Sequence, residues 1–168
     1  MPRVYCVCVL SRYAVGVVGA ALAAVLAVPG VAVLAAPGVA GAQPDVNAMP
    51  PANPKDYAAN DGAWYVFSAL DDVTCVLDRG SGSYGCSGPL PAAPNGANLV
   101  TGNVGGGVGF ASSAAPMYGI VENAPALPPH SRLSFRTVSC GNDGFATSCI
   151  NTLNQSGFVI SPTGTYAF

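Results

Sequence analysis

Residues 73–86 read VTCVLDRGSGSYGC, and this run decides the fold class. In 73–78 the side chains sort by parity. Val73, Cys75 and Leu77 fall on one face, and Thr74, Val76 and Asp78 on the other. Successive strand residues point to opposite faces, so the run reads as a strand. Arg79 to Gly85 holds three glycines and two serines, a composition that turns a chain rather than extending it. The chain then returns at Cys86. Upstream, residues 63–70 (AWYVFSAL) are rich in aromatic and β-preferring side chains and predict a second strand, joined through Asp71-Asp72.

The arrangement recurs at 132–149, RLSFRTVSCGNDGFATSC. Residues 132–139 alternate throughout, which predicts one half-buried strand. Leu133, Phe135, Thr137 and Ser139 would share one face, with Leu133 and Phe135 buried; Arg132, Ser134, Arg136 and Val138 would share the other. Gly141 to Gly144 predicts a turn, and 145–150 the returning strand. Shorter strands are predicted at 99–101, just after Pro116 around Tyr118 and Ile120, at 158–160 and at 165–168. Three prolines exclude a central strand or helix from 87–98. Beyond residue 42 no 12-residue stretch has helical periodicity free of Gly and Pro. Six to eight short strands joined by Gly, Pro and Asn turns predict an all-β fold, a small antiparallel β-sandwich or barrel.

The chain ahead of this domain is of another kind. Arg3 and Arg12 are the sole charges before Asp45, and 13–39 is almost wholly Ala, Val, Leu, Gly and Pro. A positive start, an apolar stretch and the small-residue site Ala40-Gly41-Ala42 read as a secretory signal peptide over 1–42, with the mature chain beginning near Gln43. The stretch is long enough to span a membrane if left uncut. Pro29-Gly30 and Pro37-Gly38 interrupt it, and no basic residue follows to stop transfer. Cys6 and Cys8 precede the apolar stretch, so lipid attachment is not expected. Residues 43–60 hold four prolines and predict a Pro-rich arm or linker; 61–168 form the single β-rich domain.

The remaining 126 residues carry four Lys/Arg against eight Asp/Glu, a net charge of −4. Nucleic-acid binding needs a basic footprint, which such a balance excludes. Four cysteines remain: Cys75, Cys86, Cys140 and Cys149. An even number in an exported chain is a disulfide framework. The gaps of 10, 53 and 8 residues do not space a zinc site. Three pairings are possible. Cys75–Cys86 with Cys140–Cys149 would close each predicted hairpin on itself, since β-carbons across paired strands approach within bridging distance. Cys75–Cys149 with Cys86–Cys140, which would pin the two hairpins together, is the main competitor.

Three further stretches carry a likeness. They are 86–98 (CSGPLPAAPNGAN), 127–135 (LPPHSRLSF) and 157–162 (GFVISP). With the Ala/Gly/Pro-rich composition, they resemble small exported proteins of mycobacteria and related actinobacteria. The resemblance spans most of the mature chain and implies a secreted or cell-envelope location. It implies no chemistry.

No catalytic constellation is predicted. His130 is the one histidine, and none of the serines sits in G-x-S-x-G. The glycine-rich run 102–109 lacks the lysine and strand–helix context of a phosphate loop. Asp71, Asp72, Asp78, Glu122 and Asp143 carry no flanking context for paired-carboxylate work, and Asn142 with Asp143 is too little for calcium. Asp71 and Asp143 read instead as turn residues that bond their own backbone. No cofactor and no metal is predicted. Tyr84, in the glycine-rich turn, is the leading candidate for an exposed binding aromatic, with Phe145 in the second turn and Tyr118 behind it. The expectation is a non-enzymatic exported binding protein whose partner is an envelope component or another exported protein. A structural or accessory domain packing on another exported protein is the alternative, and a hydrolase using His130 the lesser one.

Overall fold

The computed structural model describes residues 45–118, 121 and 123–168. The predicted leader, Gln43, Ile120 and Glu122 lie outside the described residues. The first sheet takes its strands in chain order: β1 (Ala58–Ala59), β2 (Trp64–Leu70), β3 (Val73–Asp78), β4 (Tyr84–Ser87), β5 (Leu99–Gly102) and β6 (Val108–Ala111). The second does the same with β7 (Ser131–Phe135), β8 (Val138–Asn142), β9 (Thr147–Asn151), β10 (Ser156–Ser161) and β11 (Gly164–Ala167). Every neighbouring pair is antiparallel, so each sheet is a meander of hairpins. The all-β prediction holds, as a sandwich. Neither sheet closes into a barrel. Helical structure among the described residues is limited to the 3-10 turns Val46–Ala48, Pro54–Tyr57 and Pro94–Gly96.

The core lies between the sheets. Phe67, Cys75, Leu77, Tyr84, Cys86 and Val100 of the first meet Leu133, Val138, Cys140, Cys149, Phe158 and Ile160 of the second. Two aromatic pairs cross the gap: Tyr84 stacks on Phe158 with centroids 5.9 Å apart, and Tyr65 meets Phe135 edge-on at 5.9 Å. Gly102 lies opposite Tyr84 in the ladder, and a Cβ there would come within 2.5 Å of the tyrosine ring. The glycine makes the room in which Tyr84 turns inward.

Both bridges are the local ones. Cys75 pairs with Cys86 across β3–β4 and Cys140 with Cys149 across β8–β9, each directly opposite in register with Cα atoms 4.0 Å apart. Antiparallel ladders bring Cα atoms this close at their non-hydrogen-bonded sites. All four cysteines are buried.

The run 132–139 is not one strand. It is β7, a two-residue turn at Arg136-Thr137, and the start of β8. The turn was hidden because neither residue is a usual turn former; Arg136 adopts φ +53° without being Gly or Asn. The reversal changes the faces. Val138 pairs with Phe135 and joins Leu133 in the core, while Ser139 faces Ser134 on the outside, with their hydroxyls 2.9 Å apart. Leu133 is fully buried as predicted, but Phe135 is only half-buried. Met117 and Tyr118 lie in a turn, while Ile120 of the strand predicted there falls outside the described residues; the strand described in this region is β6, ahead of it. The eleven strands among the described residues exceed the predicted six to eight through this split and through two- to four-residue strands too short to show periodicity.

The segment 45–60 is an ordered arm. Val46 is buried, and with Met49 it packs over Gly141, where any Cβ would strike both. Pro51 forms a parallel bridge to Arg132 on β7. Ala58 and Ala59 then pair with β2. The arm thus ties the first edge of one sheet to the β7 edge of the other.

Asp78 holds the β3–β4 turn. Its carboxylate accepts from the Gly80 and Ser81 backbone N–H groups at 2.8 and 3.2 Å and from the Ser81 hydroxyl at 2.8 Å. Partial burial alone would raise its pKa, but the Ser81 hydroxyl and the two amides outweigh it and hold the carboxyl below its ordinary value. A depressed carboxyl stabilises the fold above its unfolded pKa, about 4, and loses that contribution as pH falls through the folded value. Asp78→Ala should therefore melt below the native protein at pH 6, and the gap should narrow below pH 4. A gap constant from pH 6 to pH 2 would contradict the charge-based account.

Candidate functional site

The described residues of the connection between the sheets, 112–118, 121 and 123–130, lie over the outer face of the first sheet. The connection is pinned at three places. Asn98 and Ser113 exchange two hydrogen bonds of 2.8 Å at its start. The Tyr118 N–H donates to Ser87 Oγ at 3.0 Å in the middle. At the end, Ser68 N–H donates to the Pro125 carbonyl at 3.0 Å, and Ser68 bridges Ala126. Tyr118 seats the connection: it is buried against Val66, Val76 and Leu99, with Trp64 edge-on at 6.1 Å. Burial raises its phenol pKa, and the Asp78 carboxylate raises it further.

Between this connection and the sheet lies a cleft of about 420 Å³. Ser68, Asp72, Thr74, Ser87 and Asn123 give it polar walls, and Val73, Pro116, Val121 and Ala124 contribute apolar surface. Two of the polar groups are committed to the protein. Ser68 Oγ donates to the Leu70 carbonyl at 2.9 Å, and Ser87 Oγ accepts from Tyr118. The side chains of Asp72, Thr74 and Asn123 have no hydrogen-bond or ion-pair partner among the described residues. A carboxylate, a hydroxyl and an amide thus line the cleft with no bond to another described residue. Asp72 and Asn123 stand at φ +59° and +58°, which Asp and Asn tolerate better than other side chains.

The aromatic residues singled out from the sequence do not form this site, nor any common one. Tyr84 is 1% exposed and Tyr118 is 9% exposed, so neither presents a binding face. The glycine-rich turn ends at Ser83, and Tyr84 opens β4 on the same inward parity as Cys86. That parity was the available signal: a residue two before a bridging cysteine shares its face. The Tyr84 hydroxyl donates to the Ser156 carbonyl at 3.3 Å. Its phenol pKa is raised by burial, against a smaller lowering from that bond. Phe145 is 60% exposed. It tops a turn built by Asp143, whose Oδ1 accepts from the Phe145 and Ala146 N–H groups at 2.8 and 2.7 Å. The reading of Asp143 as a turn residue is correct. His130 is exposed at φ +57°, and no serine hydroxyl or carboxylate bonds its ring among the described residues.

Of the cleft residues, Thr74 was assigned to the strand face opposite Cys75 and Asp72 to a turn, both correctly. Nothing in the sequence linked them to Asn123, which arrives from the far side of the connection. Among the described residues no group of three His, Cys, Asp or Glu could hold a metal ion, and no helix is long and apolar enough to cross a membrane. No family model, curated protein or solved structure matches the chain. The two formed disulfides point to an oxidising, extracellular-type environment.

Proposed function

We propose that this is an exported, non-enzymatic binding protein of the cell envelope or extracellular space, and that it takes a polar, donor-bearing ligand of sugar size in the cleft beneath residues 112–130. The observation that carries the reading is the trio Asp72, Thr74 and Asn123, which line the cleft with no partner among the described residues. The volume of about 420 Å³ falls within the range of small-molecule sites. One carboxylate and several acceptor oxygens favour a ligand rich in hydroxyl or amino donors. Export rests on the leader-like composition of 1–42 and agrees with the disulfides.

The test is an NMR titration of 15N-labelled protein with glucose, N-acetylglucosamine and glucosamine. Saturable shifts are expected at the Thr74 and Ser87 amides. Thr74→Trp, at a partly exposed position, should fill the cleft and weaken the best probe about tenfold or more, the loss of at least one hydrogen bond to a charged or polar ligand group. Flat titrations at these amides with all three probes would sink the assignment.

A further inference from the structure

Beyond residue 42 the chain holds four basic side chains, Lys55, Arg79, Arg132 and Arg136. Arg132 is committed to the fold: its Nε donates to the Met49 carbonyl at 2.8 Å and its Nη1 to Ser134 Oγ at 2.7 Å. Arg79 and Arg136 instead converge on one aromatic ledge. The Arg79 guanidinium carbon lies 5.2 Å from the Tyr65 ring centroid and 5.9 Å from that of Phe135, and the Arg136 carbon lies 5.0 Å from Phe135. Both side chains are exposed.

Three features set this pair apart from ordinary surface charge. Neither guanidinium is in an ion pair among the described residues, although beyond residue 42 eight acids face four bases. Arg79 Nη1 donates to the Gly62 carbonyl, but Arg136 has no hydrogen-bond partner at all among them. Arg136 also sits at φ +53° in a two-residue turn that ordinarily takes Gly, Asn or Asp. Strain of this kind clusters at active sites and ligand clamps. The Arg136 Nη1 lies against Gly82, 3.6 Å from where a Cβ would stand, so the β3–β4 and β7–β8 turns present the two cations together. A guanidinium lying on an aromatic face is held in place while its N–H rim stays free for a bidentate acceptor.

We propose that Arg79 and Arg136 form a paired-guanidinium site for one oxyanion, the carboxylate or phosphate group of an extracellular ligand, on the ledge of Tyr65 and Phe135. Two like charges held near one ring with no acid between them repel, and a bound oxyanion relieves that repulsion. Arg79 follows β3 and Asp72 precedes it, so this site and the cleft lie at opposite ends of the sandwich. Each stands or falls without the other.

The experiment titrates the full 15N-labelled protein with sodium phosphate and with sodium glucuronate, at ionic strength fixed by sodium chloride. Saturable movement of the Arg79 and Arg136 Nε–H signals is expected, and the stronger of the two probes tells phosphate from carboxylate. Arg136→Gly suits the left-handed turn, so it should fold at least as well as the native protein while weakening the stronger probe about tenfold or more, the effect of one charge-assisted hydrogen bond. Arg79→Gln should weaken it similarly, and Arg132→Gln should leave it unchanged. Linear, unsaturated shifts with both probes would overturn the proposal. So would affinity retained in Arg136→Gly and Arg79→Gln, or lost equally in Arg132→Gln, which would mark a response to net charge alone.

Discussion

Replacing Cys75, Cys86, Cys140 and Cys149 together by alanine is expected to leave the protein largely unfolded at 25 °C. The bridges span sequence separations of 11 and 9 residues. For loops of this size the chain-entropy model assigns about 3 kcal/mol to each, hence about 6 kcal/mol for the two. Net stability of a domain is only about 5–15 kcal/mol, so the pair represents a large share of it. The loss goes beyond entropy, because all four sulfurs lie in the buried cluster and alanine leaves their volume empty. Each bridge closes its own hairpin in a different sheet, so the two double variants should each remain folded. Urea unfolding followed by circular dichroism measures all four proteins. A quadruple variant that unfolds within about 1 kcal/mol of the native protein would show that the sheets, and not the bridges, hold the fold.

The pairing was legible in the sequence because it depended on a local fact: each cysteine pair flanks a short Gly-rich segment able to turn back, at the ends of two predicted hairpin arms. The meander followed for the same reason: every strand pairs with its chain neighbour, so local signals carry most of the topology. What escaped was equally local. The turn at Arg136-Thr137 has no glycine, asparagine or proline, and alternation by itself cannot separate an eight-residue strand from two short ones. The placement of residues 112–130 on the outer face was beyond reach for a different reason. Its anchors, Asn98 to Ser113, Ser87 to Tyr118 and Ser68 to Pro125, are contacts across 15 to 57 residues of chain with no periodic signature.

That distinction governs the functional reading as well. Composition and spacing had no way to bring Asn123 to Asp72 and Thr74, or Arg79 to Arg136, because each grouping joins segments far apart in the chain. The aromatic candidates drew notice for their chemical type, and packing then took two of them inward. Tyr84 is drawn into the core by the empty space at Gly102, and Tyr118 is a seat for the connection above it. The groups left with unused bonding capacity are small polar side chains and two arginines.

Phe158→Ala should be among the most damaging single substitutions in the chain, and far worse than Phe135→Ala. The sequence favoured the opposite emphasis, since Phe135 lies in the run that alternates best. Phe158 is fully buried and stacks on Tyr84 with an interplanar angle of 14°. Its truncation opens a cavity between the sheets, for which the usual loss is about 3–5 kcal/mol. The stack is lost with it, and Tyr84, whose hydroxyl reaches Ser156 two residues before Phe158, loses the surface that holds its ring in place. Phe135 is half-buried at the rim, under the Arg79 and Arg136 guanidiniums. Removing it forfeits about half the transfer free energy of a large apolar side chain, about 1–2 kcal/mol, and water can fill the space. Thermal and urea unfolding of the two variants should therefore differ by about 2 kcal/mol or more, with Phe158→Ala the weaker protein. Equal losses would mean that the gap between the sheets is closed by β7 as firmly as by β10, and that the stack of Tyr84 on Phe158 is not the centre of the core. The same pair of variants separates stability from binding: Phe135→Ala, though milder for the fold, takes away the ledge under both guanidiniums, whereas Phe158→Ala leaves that ledge in place.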